Sequence, residues 1–177
     1  MYEEANFKIN VRMKILKTHE NEWYLNLRDT DKNPILRLYN NLKRNLCPEP
    51  YLDIVKDPRH RIAITHIRAN AHSLEVERGR YTRPKTPLSD RLCKLCNVVE
   101  DEIHFCTACV INKQEREVFY NKITKMNKNF TNLDDKNRFL YMVTCEDKNI
   151  LLWLGKFLYD SFEKHKNIDL LSIPVCK

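Results

Sequence analysis

Glycine is nearly absent from this chain: Gly79 and Gly155 are the only two among 177 residues. Tight hairpin turns draw on glycine for positive backbone φ, so this scarcity argues against a fold of many short strands. Long apolar runs are missing too. No stretch approaches the roughly 18 apolar residues that a membrane helix needs, and Met1-Tyr-Glu-Glu-Ala opens the chain without the apolar segment of a secretory signal. The reading is a protein off the membrane and inside the cell, cytoplasmic or nuclear. An apolar fraction of 42% suffices for a core, while 31% charged residues alongside so little glycine points to long helices. The length suits one ordinary domain, or a domain with a small appended module.

Cysteine, by contrast, is plentiful, with seven residues, four of them in Cys93-Lys-Leu-Cys96-Asn-Val-Val-Glu-Asp-Glu-Ile-His104-Phe-Cys106-Thr-Ala-Cys109. Two cysteines separated by two residues can turn around one ion. His104 follows after a seven-residue loop, and Cys109 after four more residues, inside the window common for a second ligand pair. Cys93, Cys96, His104 and Cys109 therefore form a candidate zinc knuckle, since Zn2+ takes four thiolate or imidazole ligands tetrahedrally at about 2.0–2.3 Å. Cys106 lies two positions from His104, where both side chains would have to converge within one residue of backbone. It is the fallback ligand, or a thiol packed beneath the site. A redox dithiol at Cys93 and Cys96 would require a βαβ surrounding that is not there, and structural disulfides would require an oxidising compartment and sit poorly with an odd cysteine count. Cys47, Cys145 and Cys176 read as small buried hydrophobes. Four protein ligands leave no open coordination position, so Glu100-Asp101-Glu102 reads as a helix-start feature, or as partners that orient His104 and balance Arg91 and Lys94. Catalysis and a small-molecule substrate are not expected.

The net charge of +7 is concentrated: residues 56–94 hold ten Lys/Arg against four Asp/Glu, whereas the segments on either side are nearly neutral. The ten are Lys56, Arg59, Arg61, Arg68, Arg78, Arg80, Arg83, Lys85, Arg91 and Lys94. Arginine presents a planar fork of donors that matches phosphate oxygens, so an arginine excess beside a metal knuckle predicts contact with RNA or DNA. Arg59, Arg61, Arg68, Arg78, Arg80, Arg83, Lys85, Arg91 and Lys94 are the candidate contacts. A face of solvated arginines paired with Glu75 and Glu77 is the plainer alternative, and it would suit a purely structural zinc module that serves a protein partner.

Periodicity gives a mainly α reading: a helical bundle with the knuckle inserted. Residues 4–17 and 20–28 look amphipathic, with Phe7, Val11, Leu16, Trp23, Leu25 and Leu27 as core, and the chain breaks at Thr30–Pro34. Residues 35–39 fit either a short strand or a helix start. Tyr51, Leu52, Ile54 and Val55 supply apolar anchors. From Pro58, the stripe His60, Ile64, Ile67, Ala71 and Leu74 predicts one helix that ends at Gly79. An extended basic linker, Tyr81–Pro87, then leads into the knuckle. Helices follow over about 112–126, with Val118, Phe119 and Ile123 buried, over 133–143, and over 147–166. The last carries the widest stripe: Ile150, Leu151, Leu154, Phe157, Leu158 and Phe162, with Trp153 on its flank. The implied division is a helical region at 1–87, the knuckle at 88–112 and a C-terminal helical region at 113–177 that packs on the first. Tyr81 and Phe105 could stack on a base, although packing suits them equally.

The run Arg61-Ile-Ala-Ile-Thr-His-Ile-Arg-Ala-Asn-Ala-His-Ser-Leu-Glu-Val-Glu-Arg-Gly-Arg-Tyr81, followed by Arg91-Leu-Cys-Lys-Leu-Cys96, Glu100-Asp-Glu-Ile-His-Phe105 and Cys109, resembles the C-terminal zinc-binding region of reverse transcriptases encoded by non-LTR retrotransposons. The likeness is densest over about residues 50–120. It implies a module that holds template RNA or target DNA, within or alongside the rest of a retrotransposon polyprotein. The chain departs from that family in lacking a Tyr/Phe-Ala-Asp-Asp polymerase motif. Its only Asp-Asp pair, Asp134-Asp135, has no apolar strand around it. The resemblance thus implies a fragment without polymerase and endonuclease domains.

Overall fold

The computed structural model describes residues 2–29, 32–33, 36–43 and 45–171. The chain divides into two compact units, residues 1–48 and 49–177. The division falls after Pro48, and the knuckle lies in the second unit together with the helices that flank it.

In the first unit, helix α1 runs continuously over Tyr2–Arg28, and helix α2 covers Arg37–Leu42. The short strand considered for 35–39 is not formed: Leu38 and Tyr39 lie in α2, while Ile35, with Thr30, Asp31 and Pro34 of the expected break, falls outside the described residues. Much of the expected core of α1 is also absent. Phe7, Val11, Leu16 and Leu25 are exposed, Trp23 is half-buried, and only Leu27 is buried. The reason is phase. Phe7, Ile9, Val11, Met13 and Ile15 recur every second residue, and at 3.6 residues per turn such a pattern is spread around the helix instead of forming one stripe.

The second unit is built from helices α3 (Pro50–Ile54), α4 (Pro58–Arg68), α5 (Glu75–Arg78), α6 (Lys113–Met126), α7 (Asp135–Thr144) and α8 (Lys148–Leu171). Their starts follow from local chemistry. Asp57 accepts from the Arg59 backbone N–H at 2.9 Å with Pro58 in the first turn of α4, and Asp134 accepts from that of Asn137 at 2.7 Å at the head of α7. Asp147 accepts from Asn149 at 2.8 Å and Ile150 at 3.1 Å where α8 begins.

Helix α8 is the spine. Ile150, Leu151, Leu154, Phe157, Leu158 and Phe162 are all buried, as their spacing predicts, and α4 and α6 pack against them. Burying each such side chain contributes about 1.5–3 kcal/mol. Phe157 stacks on Phe119 of α6 with centroids 5.0 Å apart, and Phe162 on Phe105 of the knuckle at 4.9 Å. Val118 and Leu52, expected inside, are exposed.

The helix expected from Pro58 to Gly79 is broken in two. Asn70 adopts a left-handed φ of 53°, and the Ala71 N–H bonds to the His66 carbonyl, so α4 stops and α5 begins afresh at Glu75. Asparagine is among the residues that tolerate this conformation, and the Asn70 side chain is held by Glu102 across the unit. Among the described residues there is no strand, only one antiparallel bridge, between Leu92 and Val99.

Candidate metal centre

The bridge between Leu92 and Val99 closes the first half of the centre. The Cys93 N–H donates to the Val98 carbonyl at 2.8 Å, and the Asn97 N–H to the Cys93 carbonyl at 2.9 Å, with Asn97 at a φ of 54° where the loop reverses. This tight loop also points the backbone N–H groups of Leu95 and Cys96 at the Cys93 sulfur. The second half is a single π-type turn, His104–Ala108, entered through Asp101, whose carboxylate accepts from the His104 N–H at 2.7 Å. Its wide winding carries Cys109 back under His104, the Cys109 N–H bonding the His104 carbonyl at 2.8 Å. Asn112, fully buried, secures the exit by donating its side-chain amide to the Phe105 carbonyl at 2.9 Å.

These two turns bring the predicted set together. One donor atom each from Cys93, Cys96, His104 and Cys109 lie within 4.8 Å of one another. The sulfurs of Cys93 and Cys109 are 3.8 Å apart, far outside bonding distance for a disulfide at about 2.05 Å and equal to the edge of about 3.8 Å for a tetrahedron with 2.3 Å metal–sulfur bonds. The six described cysteines are free. The imidazole Nε2 of His104 is buried without a hydrogen-bond partner, which leaves its lone pair for a metal ion. The donors therefore fit a metal ion. Cys106 is excluded: it is fully buried in the π turn, outside the cluster.

Electrostatics favour a cation here. Burial pushes the Cys93 thiol up and the Cys109 thiol up to about 12, the latter aided by the neighbouring sulfurs and opposed by the Ile111 N–H. Burial lowers the His104 imidazole, against the upward pull of Asp101 and Glu100. Burial thus favours the protonated form of the Cys93 and Cys109 sulfurs. A divalent cation replaces the protons and supplies the charge that lets the thiolates exist in a buried site. Cys106 lies well above the ordinary thiol range because it is buried and faces Glu102 and Asp101, which keeps it a thiol.

The acidic run between the ligands has a different role from the one expected. Glu100 and Glu102 are both 3% exposed, and each meets a histidine of another element. Glu100 accepts from the Glu75 N–H at the head of α5 at 2.9 Å and meets His165 Nε2 of α8, also at 2.9 Å. Glu102 meets His72 Nε2 at 3.0 Å and accepts from the Asn70 side chain. Asp101 acts at the start of its own turn, and Glu100 at the head of α5. The acidic run itself was visible in the sequence, but its partners lie 25 to 65 positions away, and nothing in the chain marked His72 or His165 as partners of these carboxylates.

The candidate nucleic-acid contacts separate sharply. Arg68 is withdrawn from the surface: it is 8% exposed, pairs with Glu49 at 2.7 Å, donates to the Val143 carbonyl and lies over the Tyr51 ring. Arg91 is half-buried and donates to the carbonyls of Thr86 at 2.9 Å and Val76 at 2.6 Å. Arg80 is half-buried beside Glu77, and Arg61 reaches the Leu52 carbonyl at 3.2 Å. Arg59 and Arg78 are exposed beside Asp57 and Glu75. Arg83, Lys85 and Lys94 are exposed, as is the Tyr81 ring, whereas Phe105 is buried against Phe162. Cys47 is exposed and Cys145 half-buried, so neither is the buried hydrophobe expected; Cys176 lies outside the described residues.

No protein-family model matches the chain, and no curated protein or solved structure matches it. No helix among the described residues is long and apolar enough to cross a membrane.

Proposed function

We propose that this chain is a zinc-stabilised, non-catalytic module that contacts RNA or DNA, resembling the C-terminal region of a non-LTR retrotransposon reverse transcriptase. The observation that carries the reading is the four-donor cluster with an exposed basic segment leading into it. Three thiolates and one imidazole suit zinc by softness and by coordination number. All four positions are then filled by protein, so no place remains for a metal-bound water, and the ion's work is structural. Cys93, Cys96, His104 and Cys109 would hold it. Reduced thiols suit the cytoplasm or nucleus.

The contact surface is narrower than the charge run implied. Arg83, Lys85 and Lys94, with Arg78 and the Tyr81 ring, offer heads to solvent; Arg68 and Arg91 serve the fold. A surface of a few cations predicts salt-sensitive binding with little base readout, because released counterions supply most of the affinity. The test is a salt titration with structured RNA and with duplex DNA. Arg83→Glu with Lys85→Glu should weaken binding by about tenfold or more at low salt and flatten the salt dependence. Equal affinity in the charge-reversed protein would overturn the nucleic-acid reading. It would favour instead a protein partner on the exposed Leu88, Leu95, Val98 and Val110 around the knuckle.

A further inference from the structure

The segment expected to be an extended linker, Tyr81–Pro87, is folded back on itself. The Thr86 N–H is shared between the Gly79 carbonyl at 3.0 Å and the Thr82 hydroxyl at 2.8 Å. That hydroxyl donates in turn to the Gly79 carbonyl at 3.0 Å and accepts from the Thr86 hydroxyl at 2.9 Å. Gly79 and Thr86 thus form the neck of a closed loop. Arg91 braces the neck from within: its guanidinium donates to the Thr86 carbonyl at 2.9 Å and to the Val76 carbonyl at 2.6 Å. Its side chain passes so close to Gly79 that an added Cβ there would stand 2.6 Å from Nε.

What the neck holds out is an aromatic ring with cations beside it in the loop. Tyr81 is 73% exposed, and its backbone is pinned by an N–H bond to the Arg78 carbonyl at 3.0 Å. Among the described residues no ring, cation or hydrogen-bonding group meets its side chain, so the ring is open to solvent. Arg83 and Lys85 are exposed as well, and no carboxylate among the described residues meets either. The chain from Tyr81 to Lys85 spans at most about 14 Å between alpha carbons. Ring and cations therefore fall within the length of about four stacked nucleotides at about 3.4 Å each.

An open ring on a braced loop, with unpaired cations beside it, matches a strand whose bases are themselves unpaired. In a duplex each base is covered on both faces by its neighbours, and a side chain reaches a face only by unstacking them. Nor does the basic segment have the form that enters a major groove, an α-helix or a two-stranded ribbon: α5 has four residues, and Arg83 and Lys85 follow it in irregular loop. We propose that loop 79–86 grips an unpaired stretch of RNA or DNA, one base stacked on Tyr81 and neighbouring phosphates on Arg83 and Lys85, with Arg91 as the positioning residue that holds the loop in shape. The proposal rests on the nucleic-acid reading above and narrows its partner to single strands.

The experiment uses the full, zinc-loaded chain and fluorescence anisotropy with a labelled uridine strand, a thymidine strand and a DNA duplex, each titrated over a range of salt. Both strands should bind about tenfold or more tighter than the duplex, and alike, since a stacked ring and phosphate contacts read no 2′-hydroxyl. Tyr81→Ala, at a position where the ring packs on nothing, should weaken strand binding about tenfold while leaving duplex affinity and the salt slope unchanged. Tyr81→Phe should keep the parent affinity, because the stacking face is retained. Arg83→Glu/Lys85→Glu should weaken strand binding and flatten its salt slope. Strand binding indifferent to Tyr81→Ala but lost on charge reversal overturns the stacking loop and keeps the basic-segment reading; a duplex bound tighter than the strands does the same. A preference beyond about tenfold between the two strands also overturns the proposal, because it demands a contact that reads the sugar. No binding to any of the three at low salt overturns both readings.

Discussion

At the scale of single residues, Cys106 and Cys109 differ by three positions and have opposite fates. The π-type turn places Cys109 among the ligands and turns Cys106 into the core. Cys109→Ser should therefore reduce bound metal well below one ion per chain, while Cys106→Ala should keep it and cost only about 1 kcal/mol in denaturant unfolding. Elemental analysis beside urea titrations distinguishes them, and equal metal loss in both would reassign the fourth ligand. Proton linkage follows from the same sulfurs. Burial raises the Cys93 and Cys109 thiols, so the metal-free fold carries protons there at neutral pH and the loaded fold does not. Because the metal-free state binds more protons, metal affinity must rise with pH through the neutral range. Calorimetry in two buffers of different ionisation heat should register protons released on binding; none released would contradict thiol ligation.

At the scale of elements, α4 and α8 approach closely at Gly155, where an added Cβ would stand 2.8 Å from the His60 Cβ and 3.3 Å from its carbonyl oxygen. Glycine inside a helix costs about 1 kcal/mol relative to alanine, and on that ground alone Gly155→Ala should stabilise. The contact reverses the sign, since the obstacle includes backbone and the helices must part. A net loss of about 1–3 kcal/mol is expected from overpacking; a variant that melts higher than the parent would show that the helices yield freely. The acidic run acts at this scale as well: Glu100 binds the head of α5 and His165 in the last turns of α8, and Glu102 binds the turn that separates α4 from α5. Breaking a buried pair of this kind leaves an unmatched partner, so both carboxylates tie the knuckle to the helices more firmly than any surface salt bridge could.

For the second unit as a whole, residues 49–177, the candidate metal centre is joined to the common core. Phe105 of the π-type turn lies between Phe162 and His165 of α8, and the two buried carboxylates lie beside it. Zinc in small modules contributes about 10–16 kcal/mol of apparent binding energy, comparable to the roughly 5–15 kcal/mol stability of an entire domain. Chelation should therefore loosen more than the knuckle: loss of helical circular dichroism and of dispersed amide resonances across α4 and α8 is expected, restored on adding Zn2+. A metal-free protein that keeps the full helical signal, losing order only over 88–112, would show the centre to be an appendage.

The helix content, the stripe on α8 and the grouping of Cys93, Cys96, His104 and Cys109 were legible in the sequence because each rests on local spacing: 3.6 residues per turn for the stripe, and two- and four-residue gaps for the paired donors. Choosing Cys109 over Cys106 was likewise a matter of local geometry. Position along the chain could not reveal that Arg68 and Arg91 serve carbonyls and Glu49 inside the fold, that Asn70 stops α4, or that His72 and His165 meet carboxylates far away in sequence. Those outcomes depend on which groups become neighbours once water is excluded. A buried charge must find its partner in three dimensions, and nothing about that partner need be written nearby in the sequence.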